Sequence, residues 1–356
     1  MGKLIIDGIE FKFNNLYKEE VETDEIEAFM FYENELLTYV EMDMVTVINH
    51  RGFYGCSNLN TAIFKNLRVI GDEVFVGCPF KTIDISNVVS IGKKCFWGSE
   101  IETISFNDEV IEIPDETFRQ CPNLKTIKFS SNLERIGNMA FYRANFIEKM
   151  QIPTTVTTIG TEAFYLSGKG EIILPNLINI GEEAFRASYF SKVVMNRITT
   201  ITKNLFRSSK IITAEFENVE IIEDYAFDYC SEFTQVSIPK IRKIGKYVFA
   251  SCGKLSFTSL PDTLEEIGAG AFGATLIAIK QLPKKINTLP DFCLSTCFSL
   301  TDLILGGKNY PIVSISTSAF LNSTNLTKLT IYTTGGQPLA GAPWGATNAT
   351  IAYLPA

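Results

Sequence analysis

Few residues in this sequence have the type and spacing that catalysis or metal binding requires. The chain of 356 residues has a single histidine, His50, and no cysteine pair lies near it. Metal sites rich in histidine are therefore excluded, and a Ser-His-Asp or Cys-His arrangement is disfavoured. Cys293 and Cys297 are spaced C-x-x-x-C, but a zinc site needs a second pair or a histidine. We expect no metal and no cofactor.

Two further patterns resemble parts of active sites. Residues 268–273 read GAGAFG, which matches the glycine spacing of a dinucleotide-binding loop, but no long helix or nucleotide-binding strand unit surrounds them. Glu182-Glu183 and Glu265-Glu266 are adjacent carboxylates, whereas a glycosidase needs two carboxylates that face each other across a cleft. The sequence therefore favours a protein that is not an enzyme.

Composition narrows the range of partners. The formal net charge is −8 at pH 7, which disfavours nucleic acid and anionic membranes, because both are bound mainly through lysine and arginine. No apolar run approaches the roughly 18 residues that a membrane-spanning helix needs. The first residues, MGKLIIDGIEFKF, lack the apolar core and cleavage site of a secretory signal. We expect no nucleic-acid partner and no membrane insertion by this chain.

A phenylalanine recurs at a fixed interval, in segments such as IGDEVF, IGNMAF and IGEEAF. Consecutive copies are 21 to 23 residues apart, except for a last step of 26. The fourteen anchors are Phe31, Phe53, Phe75, Phe96, Phe118, Phe141, Phe164, Phe185, Phe206, Phe227, Phe249, Phe272, Leu294 and Phe320. A repeat this short cannot bury its own apolar face, so successive repeats must stack into a solenoid.

The third residue after the anchor is small in every repeat but the first, and six of the eight cysteines occupy this slot. They are Cys56, Cys78, Cys121, Cys230, Cys252 and Cys297. We interpret them as buried reduced thiols that pack as small hydrophobes. Cys56 and Cys78, or Cys230 and Cys252, would lie within disulfide range in adjacent repeats. Stacked side chains point in parallel, however, so we expect no bridge.

Each repeat also contains a short apolar alternation, as in KTIKFS (125–130) and TQVSIP (234–239). Alternation at period two predicts a half-buried strand, and strands from successive repeats would pair in parallel. The x-x-Ala-Phe segment could form a short helical turn, and the Ile-Gly step before it gives the backbone freedom to turn. The expected fold class is an α/β repeat solenoid. A parallel sheet covers one face, short helical or irregular segments cover the other, and each coil has one clear strand.

The consensus unit is roughly Ile-Gly-x-x-Ala-Phe-x-x-Cys-x-x-Leu-x-x-Ile-x-Ile-Pro. Over about residues 26–332 it resembles the BspA-like (Treponema pallidum-type) leucine-rich repeat family. The resemblance implies a right-handed, parallel-stranded superhelix. It also implies a bacterial or protozoan protein of the cell surface, or a secreted one, often tied to adhesion.

The chain is predicted to have three regions. Residues 1–25 would form an N-terminal hairpin cap, because Leu4-Ile5-Ile6-Asp7-Gly8-Ile9-Glu10-Phe11 contains an Asp-Gly turn between apolar runs. Residues 26–332 would form the solenoid of about 14 repeats, each of 20–26 residues. Residues 333–356, rich in Gly, Pro, Thr and Ala and containing Trp344, would form a C-terminal cap or a linker.

The strand register predicts which residues face solvent. If Ile127 and Phe129 point inward, Thr126 and Lys128 point outward. The same register in other repeats gives a set that we call the outward strand row. Its members are Thr103, Ser105, Thr126, Lys128, Lys149, Gln151, Lys192, Gln235 and Ser237.

Three classes of function remain open at this stage. The leading hypothesis is a non-catalytic binding or adhesion protein whose extended surface contacts a protein or a glycan. A structural or assembly component, such as a surface or phage-associated spacer, is the second. A carbohydrate-active β-helix enzyme is the third, and it is disfavoured because such coils rely on three strands and a carboxylate or calcium cluster.

Overall fold

The computed structural model describes residues 2–6, 9–13, 16–18, 21–144 and 150–356, and the chain divides into two compact units, Met1–Tyr189 and Phe190–Ala356. Each unit is a stack of coils. In a typical coil the chain runs through a strand, a corner and a turn before it enters the next coil. All three segments form hydrogen bonds to neighbouring coils.

Most coils contain a longer strand, and these strands pair in parallel, as the alternation predicts. In the first unit Thr103, Ile104 and Ser105 lie beside Thr126, Ile127 and Lys128. The strands of this row in that unit are Leu37–Met42, Thr61–Ile63, Thr103–Ser105, Thr126–Lys128 and Lys169–Ile173. Those of the second unit are Tyr189–Val194, Thr213–Glu215, Gln235–Ser237, Asp302–Leu305, Lys328–Thr333 and Thr350–Pro355. The first of these strands begins on Tyr189, the last residue of the first unit.

A second row of two-residue strands runs along the corners, and the prediction of one strand in each coil is therefore wrong. Each of these strands ends on the aliphatic residue that precedes the corner. The first residue of the strand is polar in most of them, as in the parallel pairing of Arg135 and Ile136 with Thr158 and Ile159. In the first unit they are Glu25–Ile26, Val47–Ile48, Val69–Ile70, Ser90–Ile91, Glu112–Ile113, Arg135–Ile136, Thr158–Ile159 and Asn179–Ile180. In the second unit they are Thr200–Ile201, Ile221–Ile222, Lys243–Ile244, Glu266–Ile267, Thr288–Leu289 and Ser314–Ile315.

The segment around each anchor is a chain of tight turns, not a helical turn. Glu116 and Gln120, two residues before and after Phe118, have φ of 58° and 56°, and an α-helix needs negative φ throughout. The amides of Phe118 and Gln120 donate to Ala140 and Tyr142 of the next coil, whereas the amide of Arg119 donates back to Glu116. Alternate amides thus bind within the coil and between coils.

Helix is scarce in the described residues. The helix assigned among them is a 3₁₀ turn at Thr334–Gly336. No helix in the described part of the chain is long and apolar enough to cross a membrane.

The anchor side chains form the centre of the core. Phe96, Phe118, Phe141 and Phe164 are fully buried, and their rings stack at centroid distances of 5.2 to 5.5 Å. Such offset stacks add to the burial of apolar area. The second unit repeats the arrangement with Phe206, Phe227, Phe249 and Phe272.

The corner glycines have no positive φ, so glycine is not required there for backbone conformation. It is required because a side chain would have no space. A Cβ placed on Gly268 would lie 2.4 Å from the carbonyl carbon of Gly245 and 2.6 Å from the amide nitrogen of Lys246 in the preceding coil. Gly92 and Gly137 have similar surroundings. The Ile-Gly step is therefore where two backbones approach most closely.

Both ends of the chain contain strands outside the repeat pattern. Gly2–Ile6 and Ile9–Phe13 form an antiparallel hairpin, as the Asp-Gly sequence predicts, and Gly2–Ile6 also pairs with Leu37–Met42. A second hairpin joins Leu16–Lys18 to Val21–Thr23. At the other end Thr350–Pro355 pairs with Lys328–Thr333, and Trp344 is fully buried. The C-terminal residues therefore pack as a further coil, and their role as a cap stays a prediction.

The close approach at the corner predicts a large difference between two glycine substitutions in the second unit. Gly268→Ala should destabilise the protein by about 1–3 kcal/mol, the usual effect of overpacking, because the clashing atoms belong to the backbone. Gly253→Ala should change stability by less than about 0.5 kcal/mol, since no atom lies within 4 Å of its added Cβ and its φ is not positive. Urea unfolding followed by circular dichroism measures both. Equal midpoints for the two variants would contradict this account of the corner.

Candidate functional site

The described members of the outward strand row are exposed or half-buried, and their role in binding stays a prediction. Thr103, Ser105, Thr126 and Lys128 are exposed and adjacent in the first unit, where Thr103 lies opposite Thr126 and Ser105 opposite Lys128. In the second unit Lys192 is half-buried, Gln235 and Ser237 are exposed, and Thr213 separates Lys192 from Gln235. Gln151 is exposed outside a strand. Lys149 lies outside the described residues.

A second outward row lies on the turns, and reasoning from the sequence missed it. In five consecutive coils of the first unit the residue after the anchor projects from the turn, and it is large and either aromatic or cationic. We call Trp97, Arg119, Tyr142, Tyr165 and Arg186 the aromatic–arginine row; all five are half-buried. The recurrence of Trp, Tyr and Arg directly after the anchor was the available signal.

The members of the aromatic–arginine row hold one another in place. The guanidinium of Arg119 lies 5.2 Å from the ring centroids of both Trp97 and Tyr142. Tyr142 and Tyr165 stack at 4.9 Å, and Arg186 lies 5.5 Å from the Tyr165 ring. These distances are within the range of cation–π attraction.

Acidic residues on the same turns balance the charge of the row. Glu116 pairs with Arg119 at 2.5 Å and with Lys94 at 3.5 Å, and Glu183 pairs with Arg186 at 2.8 Å. The row is therefore a surface of ring faces and paired charges that contact one another.

The turns of the second unit form a groove of about 480 Å³. Its floor is made of small residues at the position after the anchor, Ala250, Gly273 and Ser295. Tyr229 and Phe292 flank it with side chains that are 60% and 37% exposed. At this position the groove has small residues where the aromatic–arginine row has large ones.

An ion pair lies at one end of this groove. Arg207 Nε contacts Asp228 Oδ2 at 3.1 Å, and the guanidinium lies 5.3 Å from the Tyr225 ring centroid. Among the described residues, Asp228 is the one charged residue that is buried. Its burial raises the pKa of the carboxyl above the ordinary value, and the charge of Arg207 opposes that shift.

Tyr247 lines the groove beside the ion pair. Its ring stacks on the Tyr225 ring at 5.4 Å. A Cβ on Gly270 would lie 2.3 Å from the Tyr247 ring, so glycine at position 270 allows this ring to lie flat.

The cysteines are structural. All eight are free and buried, and those of the small slot donate to the carbonyl of the preceding anchor, as Cys121 does to Phe96 at 3.0 Å and Cys230 does to Phe206 at 2.9 Å. Burial raises the pKa of Cys56 and Cys297 to about 11 and that of Cys121 to about 12. Neither stacked pair, Cys56 with Cys78 nor Cys230 with Cys252, forms a disulfide.

The other residues considered for chemistry have ordinary partners. The His50 ring packs edge-on against Phe29 at 5.3 Å. Glu265 accepts hydrogen bonds from Lys285 and Arg242, which lower the pKa of its carboxyl. Glu266 pairs with Lys243 at 3.0 Å. Within the described residues, no three His, Cys, Asp or Glu side chains are grouped so that they could hold a metal ion.

The raised thiol pKa values predict protection from thiol reagents. At pH 8 the native protein should react with Ellman's reagent far more slowly than free cysteine does, because the thiolate is the reactive form. All eight cysteines should react after denaturation. Fast reaction of several thiols in the native protein would contradict the burial of the small slot.

The same pKa shifts predict a loss of stability at alkaline pH. An unfolded thiol loses its proton at about pH 8.5, whereas the buried thiols keep theirs to about pH 11. The contribution of the buried thiols to the free energy of unfolding is fully present below about pH 8.5 and declines as the pH rises further. Urea unfolding at pH 7.5 and pH 10 should show a smaller decline in Cys121→Ser than in the wild type. Equal declines in the free energy of unfolding for the wild type and the variant would show that the Cys121 thiol does not cause the loss of stability.

Comparison with known proteins gives the family. The BspA type leucine-rich repeat region, in six copies, matches residues 13–102, 89–213 and 220–335. No curated protein matches the chain at a significant level.

Several solved structures are similar to this one. A leucine-rich repeat protein from Bacteroides ovatus is 19% identical, with a TM-score of 0.77 over 94% of this chain and 89% of that chain. The pneumococcal vaccine antigen PcpA is 16% identical over 88% and 80% of the two chains, with a TM-score of 0.47. A leucine-rich cell surface protein from Faecalibacterium prausnitzii is 20% identical over 94% and 84%, with a TM-score of 0.39.

The family match covers most of the chain, and the TM-score shows that the Bacteroides structure has a similar fold. The family match and the similar structure agree with the repeat that the phenylalanine anchors define. The chain belongs to the BspA-type leucine-rich repeat family.

Proposed function

We propose that this chain is a non-catalytic adhesion protein, located at the cell surface or secreted, that binds a protein partner through its turns. Membership of the BspA-type family supports the class of function, because the resemblance implies surface proteins tied to adhesion. The observation that carries the proposal is the aromatic–arginine row, a continuous surface of Trp, Tyr and Arg side chains on a rigid backbone.

The composition of this row favours a protein partner. Tryptophan, tyrosine and arginine are the residues that most often dominate the free energy of protein–protein association. Arg119 is already held between Trp97 and Tyr142, so binding would cost little further side-chain entropy. The outward strand row offers mainly Thr, Ser, Gln and Lys, which are less often central to interfaces.

The arrangement of carboxylates supports a non-catalytic role. Hydrolysis of a glycosidic bond uses two carboxyl groups that face the same bond. The groove of the second unit has one carboxylate along its lining, Asp228. The adjacent pair Glu265 and Glu266 is engaged with Arg242, Lys285 and Lys243.

A binding assay on the full chain tests the proposal. The protein would be passed over a panel of purified, immobilised extracellular-matrix proteins by surface plasmon resonance. We expect at least one specific interaction, and we expect the double variant Trp97→Ala/Arg119→Met to weaken it at least about tenfold, as the loss of an interface hot spot does. Methionine keeps the apolar stem of Arg119 and removes its charge.

The matched control is Thr103→Ala/Thr126→Ala, two adjacent substitutions on the outward strand row. It should leave affinity within about twofold, the scale of an exposed polar substitution. Loss of binding in this control alone would place the interface on the strand row. If no matrix protein binds and the chain instead assembles through its ends, a structural spacer would replace the adhesion proposal.

A further inference from the structure

We propose that the groove of the second unit is a binding site for a neutral oligosaccharide. This inference rests on the proposed function only in that the chain is taken as a non-catalytic binding protein. The groove is a feature of its own, formed by residues of the second unit, and the aromatic–arginine row takes no part in it.

The dimensions of the groove suit a chain-like ligand. Its lining extends from the coil of Arg207 to the coil of Thr296, four coil steps that span about 19 Å at the usual spacing of about 4.8 Å between hydrogen-bonded strands. The volume of about 480 Å³ falls in the range of small-ligand sites. A short linear oligosaccharide has this elongated shape.

Aromatic faces at the rim favour a sugar. Tyr229 and Phe292 lie in coils three steps apart and are 60% and 37% exposed. The face of an aromatic ring carries negative charge density, so it attracts the polarised C–H groups of a pyranose. Ala250 and Gly273 between them leave space for the ligand.

The polar groups of the lining favour a ligand without charge. Arg207 and Asp228 neutralise each other across 3.1 Å, so the groove presents no net charge to an acidic or a basic ligand. The hydroxyls of Ser251, Ser295 and Thr296 line the remainder. The hydroxyls and the half-buried guanidinium of Arg207 are suitable partners for sugar hydroxyls, which both donate and accept.

The backbone of the groove disfavours an extended peptide. Peptides that add to a sheet are bound mainly through main-chain hydrogen bonds. Here the amides of Phe249, Ser251 and Ala274 donate to Ala271, Gly273 and Ser295 of neighbouring coils. Because these backbone amides already donate hydrogen bonds, the side chains of the groove must recognise the ligand.

Isothermal titration calorimetry on the full chain tests the site. The probes are linear malto-, cello-, xylo- and manno-oligosaccharides, and a polyproline peptide serves as a probe of the competing class. We expect at least one oligosaccharide to bind. Tyr229→Ala and Phe292→Ala should each weaken that binding at least about tenfold, as the loss of an aromatic hot spot does.

A third variant fills the groove. Ala250→Tyr restores the large residue that Tyr142 and Tyr165 provide at the same repeat position, so the coil should tolerate it while oligosaccharide binding is abolished. Val76→Tyr introduces a tyrosine at the same repeat position outside the groove, and this variant should bind oligosaccharide like the wild type. Phe298→Ala and Tyr310→Ala remove side chains that are 51% and 47% exposed outside the lining, and they serve as controls for the aromatic deletions.

The outcomes separate this inference from the proposed function. Failure of every oligosaccharide to bind at millimolar concentration overturns the inference, as does undiminished binding by the groove variants. Binding of polyproline alone, blocked by Ala250→Tyr, overturns it in favour of a peptide. Adhesion to matrix proteins is measured on the same variants. If the groove variants keep that adhesion while oligosaccharides fail, the inference is wrong and the proposed function stands.

Discussion

The structure depends on the close stacking of one coil on the next, fixed by backbone hydrogen bonds along strand, corner and turn. Because the bonded backbones lie about 4.8 Å apart, each repeat position within a unit must stack on its own equivalent. This constraint explains why phenylalanine follows phenylalanine through the core and why glycine recurs at the corner, where a Cβ on Gly268 would meet the backbone of Gly245. It also explains the small slot, where Cys121 both fills space and donates to Phe96.

The turns meet the same constraint at a conformational cost. Residues such as Glu116 and Gln120 adopt positive φ, which costs about 1–2 kcal/mol for a residue that is not glycine. In return, alternate amides reach the next coil, and the ladder of hydrogen bonds continues around the turn. In the coils from Phe96 to Phe185 the residue after the anchor points outward, so these turns acquire a regular external row. The helical turn suggested by the x-x-Ala-Phe pattern would have left those amides without partners in the next coil.

The sequence predicted the parts of the fold that depend on apolar spacing. The Phe anchors, the parallel strands, the buried cysteines and the outward direction of Thr126 and Lys128 follow from period and side-chain type. The corner strands were missed, because a two-residue strand is too short to show alternation. The aromatic–arginine row and the groove were missed because the direction of a turn side chain depends on φ, which a pattern of residue types does not specify. Once that direction is known, the change from Tyr165 to Ala250 at one repeat position is enough to indicate a groove.

The same constraint separates the positions that hold the fold from those that are free to bind. A substitution in the core ladder meets an identical neighbour above and below, so it is tolerated only if its volume and shape are kept. The residue after the anchor is less constrained, because it varies in size from Trp97 to Gly273, although it is buried where it is Asp228 or Gly273. Binding surfaces on this scaffold can therefore arise by changes at one repeat position in successive coils. The row of rings in the first unit and the groove in the second are two results of that freedom.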